Sequence, residues 1–158
     1  MSESLHYSKG SAKAIIYQEL LPQLKALMAD ESNCIANLAN VTAVLREALG
    51  FFWVGFYLVE GPQLVLGPFQ GSVACTRINK GKGVCGKAWE KVGTIIVPDV
   101  DQFPGHIACS SKSRSEIVVP VLQDDKVAGV LDVDSDRLDA FDEVDAQYLE
   151  QVVRMIRF

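Results

Sequence analysis

The sequence predicts an α+β fold, an antiparallel sheet carrying helices on one face, and three observations point to it. The first fifty residues repeat apolar side chains every three to four positions, the period of a helix. From Phe51 the period changes to two, and segments rich in aromatic and β-branched residues alternate with turn signals. After Asp142 an amphipathic helical pattern returns. Helices, strands, a loop-rich stretch, more strands and a closing helix form the order of an α+β domain rather than of repeated βαβ units. With 158 residues the chain has the size of one domain, read here as 1–158. That length buries enough surface to fold without disulfide or metal support.

The helical part occupies about residues 11–49. Ile16, Leu20, Leu24 and Leu27 make one apolar stripe, which Pro22 is expected to kink or split. Ile35, Leu38, Val41, Leu45 and Leu49 make a second, closed by Gly50 as C-terminal cap. The sheet and its pocket occupy about 51–135. Residues 51–60 read as a strand, Gly61-Pro62 as a turn and 64–69 as the returning strand. A short helix is expected at 84–91, a short strand at 94–97 and a long loop at 100–112. Residues 115–122 and 127–134 read as a hairpin about Asp124-Asp125. In the last helix, about 142–157, Asp142 caps the start and Val144, Tyr148, Val152 and Ile156 form the buried stripe. Arg154 and Arg157 at its end suit the helix dipole. The long connections are left to cover the free face of the sheet, where functional loops are commonly found.

Fifteen basic residues against twenty acidic ones give a net charge of −5, the wrong sign for a nucleic-acid partner. Hydrophobic residues at 49% and charged residues at 22% exclude a disordered chain. No apolar run approaches the ~18 residues of a membrane span. The N-terminal segment lacks the basic and apolar regions of a secretory signal, so the expected compartment is the cytoplasm, where thiols stay reduced.

Cys34, Cys75, Cys85 and Cys109 include no C-x-x-C pair, and His6 and His106 are the only histidines. A structural zinc site wants closely spaced pairs, so no metal is expected. The thiols are then either inert or reactive. Cys34 shares the apolar stripe of the second helix and reads as a core thiol. Cys75 and Cys85 flank a basic, glycine-rich stretch at 77–83 that lacks Walker spacing. Its lysines and arginine either lower a thiol pKa or simply face solvent. Cys109 lies in a polar loop just before the strand that carries Glu116.

Strand alternation places Trp53, Gly55 and Tyr57 on one face, and Val54, Phe56 and Leu58, together with Phe52, on the other. The first set either fills a second core or makes an aromatic wall with room above the glycine. Asp132 and Asp134 share a strand face, which is unusual because aspartate is depleted in strands and like charges repel. They either meet solvent or join Glu116 from the neighbouring strand. If Ile117 pairs with Leu131, Glu116 stands opposite Asp132. That parity requires an odd loop or a bulge near Asp124-Asp125. Three converging carboxyls would push one another toward protonation.

The segments 51–58 (FFWVGFYL), 66–75 (LGPFQGSVAC), 81–89 (GKGVCGKAW), 97–109 (VPDVDQFPGHIAC), 115–120 (SEIVVP) and 129–135 (GVLDVDS) carry a resemblance. Together they resemble the GAF-domain family and, within it, the stand-alone free methionine-(R)-sulfoxide reductases. The resemblance implies that Cys109 is the catalytic cysteine, Cys75 its main resolving partner and Cys85 a further thiol able to join the exchange. It implies that Glu116, Asp132 and Asp134 hold the substrate and help protonate it, with Trp53 and Tyr57 around its methyl-sulfur end. It further implies reduction of free L-methionine (R)-S-oxide through a sulfenic acid and an intramolecular disulfide. No bound cofactor is implied; recycling falls to thioredoxin or another dithiol, and family members are commonly homodimers. Two other readings stay open, a GAF-type module that binds a small ligand without turnover and a thiol-based redox sensor.

Overall fold

A computed structural model of the protein describes residues 4–158. Among these residues, four helices and six strands follow in order: α1 (Lys13–Ala29), α2 (Cys34–Leu49), β1 (Trp53–Glu60), β2 (Gln63–Gln70), β3 (Arg77–Asn79), α3 (Gly83–Lys91), β4 (Ile95–Val97), β5 (Ser115–Gln123), β6 (Lys126–Ser135) and α4 (Glu143–Arg154). A turn of 3₁₀ helix, Val100–Gln102, follows β4. The strands form one sheet of order β3-β2-β1-β6-β5-β4, antiparallel at every pairing. Among the described residues no helix is long and apolar enough to cross a membrane.

Each face of the sheet owns a core. Val54, Phe56, Ile117, Leu131 and Val133 meet Leu20, Leu38, Leu45, Leu149 and Val152 from α1, α2 and α4. On the other face Trp53, Tyr57, Val118 and Val130 meet Val84, Cys85, Ala88 and Trp89 of α3. The expected division of β1 therefore holds from Trp53 onward. Phe52 departs from it: it precedes the strand and packs with Trp53's cluster.

α1 runs unbroken through Pro22, so the expected split does not occur. Leu20 and Leu24, each 1% exposed, lie on either side of the proline, and their packing outweighs the lost backbone hydrogen bond. Ile35 is 53% exposed and is not part of the buried stripe of α2. Gly50 takes the left-handed cap conformation, its N–H donating to the Arg46 carbonyl. Val152 in α4 and Ile156 just past its end are buried as expected, but Val144 and Tyr148 are only half-buried. The buried set centres on Ala146, Leu149, Val152 and Val153. Choosing every fourth residue drifts around a 3.6-residue helix, whereas the buried positions Asp145, Leu149, Val152 and Ile156 are spaced by four, three and four. β3 was not expected; a three-residue edge strand leaves no periodicity to read.

The β5–β6 hairpin turns through Asp124 and Asp125, both at positive φ (50° and 62°), as a two-residue hairpin loop requires. A register shift follows between Val121 and Leu122. This is the bulge the parity of the faces demands. The register itself is two residues from the expected one: Ile117 pairs with Val133 rather than Leu131, so Glu116 stands directly opposite Asp134 rather than Asp132.

Candidate active site

The α3 side of the sheet holds a pocket where the expected residues meet. Trp53, Tyr57, Cys85, Cys109, Glu116, Asp132 and Asp134 all line it. Strand alternation explains the convergence: Trp53 pairs with Asp134 across β1 and β6, and Gly55 with Asp132.

Gly55 leaves no open room above the sheet, contrary to expectation. A Cβ there would come within 2.5 Å of Trp53 Cη2 and would also strike Phe69. The glycine instead lets the indole lie flat across the strand. That ring stacks on Phe69 with centroids 5.3 Å apart and on Tyr57 at 6.2 Å. Its Nε1 donates to the Ser72 carbonyl at 2.9 Å. The Tyr57 hydroxyl donates to the Cys75 carbonyl at 2.8 Å. The aromatic pair thus fixes the backbone that presents Cys75.

Cys75 and Cys109, 34 positions apart in sequence, form a disulfide with Cα atoms 5.3 Å apart. Both are half-buried. The intervening chain closes over the pocket with Gly83, Val84 and Cys85 from α3 and His106 and Ile107 from the loop before β5, and Ser110 follows Cys109 at the rim. Cys34 and Cys85 are free thiols. Cys34 is half-buried against the helical core and away from the pocket.

Glu116 and Asp132 are 5% and 6% exposed. Burial, and then the charge of Asp134, push Glu116 up to about 8. Burial and the Glu116 charge raise Asp132 well above the usual carboxylate range. Asp134 is raised too, by burial and by Asp132, against a hydrogen bond from Ser113. Burial and mutual charge therefore push all three acids toward the protonated form, and Glu116 holds its proton at neutral pH. Asp132 Oδ1 is buried without a hydrogen-bond partner, and an unpaired buried oxygen calls for a proton or a cation. No lysine or arginine lines the pocket to supply that charge.

Burial raises the Cys85 thiol well above its ordinary value, with the Asp132 charge adding to the effect. The basic stretch beside it does not activate it. His106 was not singled out from sequence, yet its Nε2 lies 3.4 Å from Glu116 Oε2. Burial lowers the imidazole's pKa, against the raising charge of Asp101. At neutral pH a neutral imidazole and a neutral carboxylic acid therefore face each other. Its place in a long polar loop three residues before Cys109 was the available signal. Ser113 left none.

The GAF domain profile matches residues 38–157. The chain belongs to the GAF domain family. This GAF protein is 59% identical to GAF domain-containing protein A of Dictyostelium discoideum, across 99% of each chain. It is 46% identical to the free methionine-R-sulfoxide reductase of Escherichia coli, over 91% of this chain and 88% of that one. The structure of free methionine-R-sulfoxide reductase from Neisseria meningitidis in complex with its substrate superposes with a TM-score of 0.94. It shares 58% identity over 96% of this chain and 92% of that chain.

Proposed function

We propose that this protein reduces free methionine-(R)-sulfoxide to methionine. The observation that carries the reading is the Cys75–Cys109 disulfide at the edge of a pocket holding three acids with raised pKa values. The names of the E. coli and N. meningitidis relatives support it.

Reduction of a sulfoxide needs a sulfur nucleophile and a proton donor close together. Cys109 attacks the sulfoxide sulfur while Glu116 protonates its oxygen. The Cys109–substrate sulfur bond so formed is transient: the hydroxyl passes to Cys109 Sγ as the S–O and S–S bonds break, methionine leaves reduced and Cys109 is left as a sulfenic acid. Cys75 then attacks that sulfur, the hydroxyl leaves as water and the disulfide forms. Two thiols are oxidised to one disulfide for each sulfoxide reduced, so no bound cofactor is required. An external dithiol, of which thioredoxin is the cytoplasmic type, restores both thiols. His106 connects Glu116 to the loop surface, a route by which its proton is replaced. Trp53 supplies an apolar surface for the methyl-sulfur end.

The unpartnered Asp132 oxygen and its neighbours favour a substrate carrying an ammonium group. A free amino acid has one; a residue within a peptide does not. The test is incubation with racemic free methionine sulfoxide and a dithiol, followed by separation of the epimers. Loss of the R epimer alone is expected, and no loss of either epimer would overturn the reading. N-acetylation of the substrate should lower kcat/KM by ~10⁴-fold, because it leaves the acids without their cation. Equal turnover of both compounds would remove the ammonium pairing while leaving the reductase.

A further inference from the structure

We propose that Cys85, Asp132 and Glu116 form a binding site for a thiophilic divalent cation of the Zn²⁺ class, and that its occupancy blocks the pocket. One donor atom from each lies within 4.8 Å of the other two, and all three residues are buried. They arrive from α3, β6 and β5, far apart in sequence, which is why cysteine spacing shows no trace of them. A second observation points to a ligand independently of the cluster: Asp132 Oδ1 is buried with no partner.

The chemistry selects a metal of this kind. A thiolate with two carboxylates matches the S and O donors that Zn²⁺ accepts, and excludes the all-oxygen preference of Mg²⁺ or Ca²⁺. Donors around one tetrahedral Zn²⁺ stand ~3.6 Å apart, so side-chain rotation suffices to close the set. Water fills the fourth position, or the His106 imidazole does so after a rotamer change, since its Nε2 already lies 3.4 Å from Glu116 Oε2. Binding displaces protons from Cys85 and the carboxyls, so affinity rises with pH. Two positive charges offset this ionised cluster better than one ammonium, and Cys85 adds a donor that only the metal uses.

Cys85 remains a free thiol while Cys75 and Cys109 are bridged. The site therefore exists in the disulfide form, with the proposed nucleophile tied up. This permits a test that does not depend on activity. Co²⁺ is titrated into the disulfide-form protein without substrate. A near-ultraviolet thiolate-to-cobalt charge-transfer band is expected at one equivalent, bleached by one equivalent of Zn²⁺. Cys85→Ser should abolish the band and Cys34→Ser should keep it. Asp132→Asn should weaken binding at least ~10-fold. No band, or a band that survives Cys85→Ser, overturns the proposal. Should Cys85→Ser fail to fold, undiminished Co²⁺ affinity in Asp132→Asn overturns it alone.

Blocking rests in addition on the reductase reading, because the metal takes the carboxylates assigned to the ammonium. Zn²⁺ should raise KM for free methionine-(R)-sulfoxide and leave kcat unchanged once substrate saturates. Binding of Co²⁺ with no change in KM supports the metal site and counts against the ammonium pairing.

Discussion

Replacing Cys109 with serine removes the proposed nucleophile, so not even one methionine per chain should form under single-turnover conditions. Cys75→Ser should spare that first turnover and slow recycling, and Cys34→Ser should change neither. Mass spectrometry of the oxidised variants checks the assignment. Inactivation by Cys34→Ser, whose sulfur lies against the helical core, would reverse it. Glu116→Gln keeps the shape and removes the acid, and kcat should fall by ~10²–10⁴-fold. Protonated Glu116 is the working form, and its pKa is pushed up to about 8. Activity should therefore decline as pH rises through that value. The falling limb of the kcat/KM profile should vanish in Glu116→Gln, and a limb that persists unchanged would move the acid to another residue.

At the scale of elements, α1 and α4 are joined by a buried polar latch. Asp145 is 2% exposed and accepts hydrogen bonds from Tyr17 Oη at 2.7 Å and Lys13 Nζ at 2.6 Å. Its carboxylate also accepts from the Asp142 N–H, completing a capping box. Asp145→Ala leaves a buried hydroxyl unpaired and removes the reciprocal half of the capping box, a loss of about 2–4 kcal/mol. Urea denaturation measures it, and an unchanged midpoint would show that the latch is not stabilising. No apolar pattern announces this latch, because it is made of side chains that sequence reading assigns to the surface. The same limit applies at the site. Face parity was legible in Trp53, Tyr57, Asp132 and Asp134, since alternation is a local property of a strand. The register between Glu116 and Asp134 was not, because the position of a bulge depends on how two strands meet. His106 escaped for a related reason: a loop has no period, and its contact with Glu116 is made only in three dimensions.

For the whole molecule, the pocket is a cost that the two cores carry. Glu116 has its pKa raised from the ordinary 4.5 to about 8 by burial first and the Asp134 charge second. Below the lower value both folded and unfolded chains hold the proton. Between the two values the unfolded chain has lost it and the folded chain keeps it, so stability falls as pH rises. Asp132 and Asp134 shift in the same direction and add to the slope. His106 opposes it, because its lowered pKa favours the folded state as the imidazole deprotonates. Glu116→Gln removes one proton from this balance and leaves His106 in place. The difference between the two proteins should therefore widen from about pH 5.5 to about pH 7.5, with a slope approaching ~1.4 kcal/mol per unit. The variant should be the more stable at the upper end while losing activity, the usual relation between a buried functional acid and its fold. Free methionine, whose ammonium pairs with the ionised acids, should protect the native protein more as pH rises and protect Glu116→Gln less. Parallel denaturation curves across that pH range would mean that Glu116 is already ionised in the empty site, and the protonated-acid role would fall with it.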